Sequence, residues 1–207
     1  MANQEKLSEK EQEEIVERAS PPGEIVYHAV NREGEHELKR SSSELAISGL
    51  AAGLSMGFSM MTEGLLHLHL PDTPWRPLVT KLGYSVGFLI VILGRQQLFT
   101  KNTLTVILPL LRMKKLSVLA NVGRLWAVVL LTNLIGAFLF AWFMARSNTF
   151  DNHVRATFFQ LGAIGMQHSF TTLLLGGIVA GWLIALMIWL LAFAGAARVW
   201  VIIFWLT

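Results

Sequence analysis

The stretch LGYSVGFLIVILGRQQLFTKNTLTVILPLL, from Leu82 to Leu111, decides the fold. Leu82–Leu93 is apolar, GRQQLFTKNT (94–103) interrupts, and Leu104–Leu111 is apolar again. Neither piece crosses a bilayer alone, since about 12 helical residues rise roughly 18 Å and about 8 rise roughly 12 Å. Together they approach one hydrocarbon thickness. Two arrangements fit: a re-entrant segment with a short surface helix, or one span broken near mid-membrane. Backbone freed from helical hydrogen bonding at that depth survives only in protein or beside a wet cavity. Short, interrupted apolar segments are also the best sequence pointer to a transport site. The broken span is the arrangement favoured here.

On its N-terminal side, Leu45 to about Leu66 forms a first span, roughly 33 Å long as a helix. Gly49, Gly53 and Gly57 recur every fourth residue within it, a stripe where another backbone can approach. The alternative is chance, in a class of helix already rich in glycine. On the C-terminal side lie a third span at 125–145, a fourth at 171–195, and an apolar run at 199–207. Nine residues carry a helix only about 13 Å into the bilayer. The expectation is therefore that the chain continues past Thr207, or that a partner covers its end.

The composition agrees with a multi-span membrane protein: 53% hydrophobic against 15% charged residues, and a mean hydropathy of +0.50. Ten of the 14 acids fall within residues 1–43. That region reads as a charged cytoplasmic arm, and 44–207 as the transmembrane domain. Residues 1–20 read as a disordered or frayed tail, punctuated by Pro21, Pro22 and Gly23. Residues 24–43 form either a weakly amphipathic surface helix or a solvated lead-in. Arg112, Lys114, Lys115 and Arg124 place the 112–124 loop and the N-terminus in the cytoplasm, and the 67–81 and 146–169 loops outside.

The net charge of +3 sits in clusters between apolar runs, which suits a membrane face better than a nucleic-acid groove. There is no cysteine, hence no disulfide frame or thiolate metal site. The polar N-terminus lacks a signal-peptide pattern. No nucleophile–base–orienter set and no phosphate-binding glycine loop occurs, so an enzyme is not expected. His67 and His69 lack a third ligand and read as an interfacial pair; no metal and no cofactor are expected. His153 and His168 read as solvated loop residues, and Glu63 as an interface residue.

The block LGYSVGFLIVILGRQQLFTKNT, with LLTNLIGAF and GGIVAGWLIALMIW, resembles the formate/nitrite transporter family over residues 24–207, most closely its YfdC-like branch. The resemblance implies an aquaporin-like bundle of six spans in two inverted repeats, with the second and fifth spans broken. It also implies a homopentamer in the bacterial inner (plasma) membrane, each protomer carrying its own pore for formate, nitrite or similar small monovalent anions. This chain would hold about four and a half of the six spans. By position, Tyr84, Phe88 and Ile184 match apolar constriction positions, and Leu98, Phe99 and Thr100 match the family's LFT loop. Gln97 stands where better-known members carry an acid, and Gly181 where Asn is frequent. The central histidine of the fifth-span loop falls beyond Thr207.

Physically, the start of a second half-helix offers N–H donors and a positive dipole end. Gln97, Thr100, Lys101, Asn102 and Thr103 would make that place polar and partly positive, favouring an anion. An apolar ring of Tyr84, Phe88 and Leu98 would exclude strongly hydrated ions. Against this, Lys101 and Arg95 fit interface residues snorkelling to headgroups, and Gln96 and Gln97 fit amides bonded to loop backbone. The function expected is a channel or transporter for small monovalent anions. The alternatives are a non-transporting membrane scaffold or stress-response protein keeping the fold, and a neutral-solute channel.

Overall fold

A computed structural model of the chain describes residues 21–207; the tail expected at 1–20 lies outside them. Among the described residues the structure is all helical, and four helical segments are long and apolar enough to cross a membrane. In chain order the helices are α1 (Gly23–Lys39), α2 (Ser42–His69), α3 (Arg76–Lys81), α4 (Tyr84–Leu93), α5 (Phe99–Thr105), α6 (Ile107–Met113), α7 (Leu116–Arg146), α8 (Asn152–Gly165), α9 (Phe170–Leu191) and α10 (Arg198–Leu206).

Helices α2 and α7 outrun the apolar runs at 45–66 and 125–145, and at the start of α2 a side-chain cap fixes the end. At the start of α2 the Glu44 N–H donates to Ser41 Oγ (3.3 Å) and the Ser41 N–H to Glu44 Oε2 (2.9 Å), a capping box. Between α6 and α7, Lys114 turns the chain at φ 49°. That left-handed conformation costs a residue with a side chain about 1–2 kcal/mol.

The second span is interrupted. Helices α3 and α4 together form an 18-residue apolar segment, Arg76–Leu93, and the chain leaves the helix at Gly94–Leu98 before α5 and α6. Helix α2 is the hub, packed against α4, α7 and α8. Its contact with α7 is close enough that a Cβ on Gly49 would strike Thr132, one on Gly53 the Asn133 carbonyl, and one on Gly57 the Phe140 ring. Without water to drive apolar surfaces together, such backbone proximity is what binds spans through dispersion.

One helix lies where only loop was expected, and another, expected as a surface helix or a solvated lead-in, docks on the bundle. Helix α8 forms within the 146–169 segment: Asp151 caps it, and Val154 and Phe158, one turn apart, are buried with Met144 against α2. Helix α1 does not lie free. Its Val26 and Val30 join the cluster around Phe88 and Ile188, its Leu38 joins Leu45, Val106 and Leu125, and Gly34 rests against the Thr105 carbonyl. Helix α9 packs only through its inner half, where Ile184, Met187, Ile188 and Leu191 are buried; its outer half is exposed on every side. After a bend at Ala192–Ala197, α10 crosses α4 and α9, with Trp205 Nε1 donating to the Leu183 carbonyl (2.8 Å).

Candidate functional site: the interrupted span and its inner cavity

A break in a span strands backbone donors and acceptors, and each left unpaired in an apolar interior costs several kcal/mol. Gln96 N–H returns to the Val91 carbonyl (2.9 Å). Gln97 N–H donates to Ser48 Oγ of α2 (3.1 Å). The Phe99 N–H, first of α5, donates to Asn133 Oδ1 of α7 (2.9 Å). Asn133 Nδ2 in turn donates to the carbonyls of Gln97 (2.9 Å) and Gly49 (2.7 Å). One amide from the third span therefore ties the end of the break and the start of α5 to α2. The sequence held a signal for this residue, a lone amide inside LLTNLIGAF, since polar side chains within spans are rare and purposeful.

The polar side chains of the loop face inward, to one another and to α1. Gln97, 1% exposed, donates through Nε2 to Glu37 Oε2 (2.5 Å) and accepts at Oε1 from Asn102 Nδ2 (2.7 Å). Asn102 is fully buried; its Oδ1 accepts from Thr105 Oγ1 (3.3 Å) and its carbonyl from Trp126 Nε1 (3.2 Å). Glu37 also pairs with Arg40 (3.3 Å), while Lys101 pairs with Glu33 (2.6 Å) and Arg112 with Glu35. Each of the three acids of α1 between 33 and 37 thus holds a group on or near the broken span. Gln97 has a reason to be neutral here: an acid would lose the donated bond and set a carboxylate against Glu37.

This differs from the donor array expected at the start of α5. The Phe99 N–H is spent on Asn133, Asn102 is enclosed, and Thr103 Oγ1 donates to the Thr100 carbonyl (2.7 Å). Thr100 is exposed, and Lys101 alone among these polar residues lines the adjoining cavity. Among the apolar residues, Phe88, Leu98 and Ile184 meet in one buried cluster with Val91 and Met187. Tyr84 is 42% exposed with its ring 5.3 Å from that of Phe88. Phe99 points the other way, its ring 6.2 Å from that of Trp126 in the cluster of Leu45 and Val106.

A cavity of about 730 Å³ opens between α1, the loop, α9 and α10. Leu98, Ile184, Ile188 and Leu191 form an apolar wall, continuous with the Phe88 cluster. Around it stand five Lys or Arg side chains (Arg32, Arg40, Arg95, Lys101, Arg198) against Glu33 and Glu37. The field in so enclosed a place favours anions. Arg95 reaches the cavity from a left-handed backbone, φ 50°.

Four membrane-length helical segments, the second followed by a buried polar loop beside a cavity rich in Lys and Arg, make this a multi-pass helical membrane protein. The chain belongs to the formate/nitrite transporter family, whose model matches residues 24–207. It is 39% identical over 178 residues to "Inner membrane protein YfdC" of Escherichia coli (strain K12), a match covering 86% of this chain and 57% of that one. It is 27% identical over 176 residues to "Uncharacterized transporter YrhG" of Bacillus subtilis (strain 168), covering 82% and 64%. The chain thus spans about three-fifths of the length of these curated relatives. The family match, the membrane-length helices and the similarity to an inner membrane protein place it among multi-pass proteins of the inner membrane.

Proposed function

We propose that the protein conducts small monovalent anions of the formate or nitrite class, as a homopentamer when full length, with the N-terminus in the cytoplasm. One observation carries the reading: a cavity with an excess of Lys and Arg closes onto the buried apolar cluster of Phe88, Leu98 and Ile184. An anion would collect at the positive end. It would then shed water at the apolar one, a step eased for the conjugate base of a weak acid if a proton is lent to it. The matched family's description supports the substrate class. The test is formate flux into liposomes bearing the full-length protein. Leu98→Ala and Thr100→Ala are expected to change rate or selectivity; both variants conducting formate unchanged would end the reading.

A second reading, a membrane scaffold keeping the fold without transport, is favoured by one feature. Glu33 and Glu37 already occupy Lys101 and Gln97, the groups an anion would use. Absence of formate and nitrite flux from the wild-type protein in the same assay would favour it.

A further inference from the structure

We infer that the inner cavity holds a polyanion, a phosphate-bearing molecule or headgroup of charge two or more, distinct from the ion that passes beyond it. The cations lining the cavity are of two kinds. Lys101 and Arg40 are already neutralised by Glu33 and Glu37. Arg32, Arg95 and Arg198 come from three separate elements, α1, the loop and the start of α10, and line the same space. None of these three has a carboxylate of the described residues at salt-bridging distance.

Size and charge both leave room for more than a formate-sized ion. A volume of about 730 Å³ lies in the range of small-molecule pockets. A triatomic ion needs on the order of 60 Å³, about the share of two waters. Three guanidinium groups without a carboxylate partner among the described residues carry more charge than one passing ion balances, and conduction requires that ion to be held loosely enough to leave. Guanidinium forks instead match phosphate oxygens, each offering paired donors to two of them. The apolar wall of Ile188 and Leu191 leaves room for a carbon skeleton or a lipid glycerol beside the charge. Arg95 reinforces the assignment: its left-handed backbone, better suited to Gly or Asn, turns the chain where its side chain joins this cavity.

The inference rests on the cavity and not on transport, so binding and flux fail separately. Binding of inorganic pyrophosphate to the full chain in detergent, followed by calorimetry at matched ionic strength, is expected to be saturable and of one site. Arg95→Gln and Arg198→Gln are each expected to weaken it at least about tenfold, the loss of one well-placed charged pair, while Lys114→Gln, in the loop between α6 and α7, leaves it unchanged. Arg198→Gln stands in if Arg95→Gln fails to fold. Pyrophosphate bound no better than chloride would overturn the inference, as would equal affinity in the cavity variants, or a loss in Lys114→Gln matching theirs. Vesicles of phosphatidylcholine with and without cardiolipin, a lipid carrying two phosphates, then separate the sources. Competition by the anionic lipid assigns the site to a headgroup, and its absence assigns it to a soluble phosphate compound.

Discussion

Helices α2 and α9 carry the same small-residue spacing and meet opposite fates. Gly49 and Gly53 in α2, like Gly177 and Gly181 in α9, stand four residues apart on one helix stripe. In α2 both are buried, and a Cβ on either would strike α7. In α9 neither meets a non-neighbouring atom within 4 Å among the described residues. Spacing offers a groove; a second backbone decides whether it is used. Here that backbone belongs to α7, which supplies its own glycine: a Cβ on Gly136 would sit 2.5 Å from the Leu50 carbonyl and 2.9 Å from Gly53 Cα.

The contrast can be broken most forcefully at that mutual approach. Gly53→Val or Gly136→Val is expected to force α2 and α7 apart, costing at least the roughly 1–3 kcal/mol typical of overpacking. Denaturant titration in detergent micelles checks this; a midpoint equal to wild type would mean the helices are not in backbone contact.

Next in size, Asn133→Leu removes the amide that joins the broken span to this helix pair. It strands the Phe99 N–H and the Gln97 carbonyl, at about 1–3 kcal/mol for each buried group. Amide exchange at Gln97 and Phe99 should accelerate markedly over that at Val91, within α4; unchanged protection would remove Asn133 from its role.

Gly177→Ala sharpens the other side of the comparison, with the opposite sign. With nothing among the described residues within 4 Å to strike, the added methyl should raise thermal stability by at most about 1 kcal/mol, through helix propensity alone. A destabilised Gly177→Ala protein would show that α9 is closely packed after all.

The smallest effect is local, at α8, where a Cβ on Gly64 would sit 2.5 Å from the Phe158 ring. The Val154 N–H, and after it the His153 N–H, hold the Asp151 carboxyl below its ordinary value of 3.8. A carboxyl lowered on folding adds stability that is present above about pH 4. That contribution disappears as pH falls through the lower folded value. Proteolysis within 147–165 should therefore quicken in acid for wild type and much less for Asp151→Asn, which keeps the capping oxygen without the charge. An equal acid response in both would exclude the cap as its source.

Much of the architecture was legible beforehand because it is written locally. Apolar runs near Leu45, Leu125 and Thr171 each lie within a membrane-length helix, and GRQQLFTKNT gave away the break in the second span. The helical docking of 23–39 was less visible, because Val26, Val30 and Leu38 make too narrow a stripe to tell a membrane surface from a protein one. Helix α8 was hidden by polar loop composition, although Asp151 with Val154 and Phe158 was a readable cap and stripe. The residues named for the site from sequence pack in two different ways. Phe88, Leu98 and Ile184 converge, whereas Gln97 and Asn102, expected to face a passage, bond to Glu37, Thr105 and Trp126.

The sequence by itself determined a helical membrane protein with an interrupted second span, because hydropathy and the backbone's need for hydrogen bonds act over a few turns of chain. Tertiary structure alone decided which glycines meet a backbone, which amide satisfies the break, and that the acids of α1 pair with Gln97 and Lys101. Those hydrogen bonds join residues 34 to 84 apart in the chain. No local pattern records them; they exist only once packed helices bring the donors and acceptors within reach.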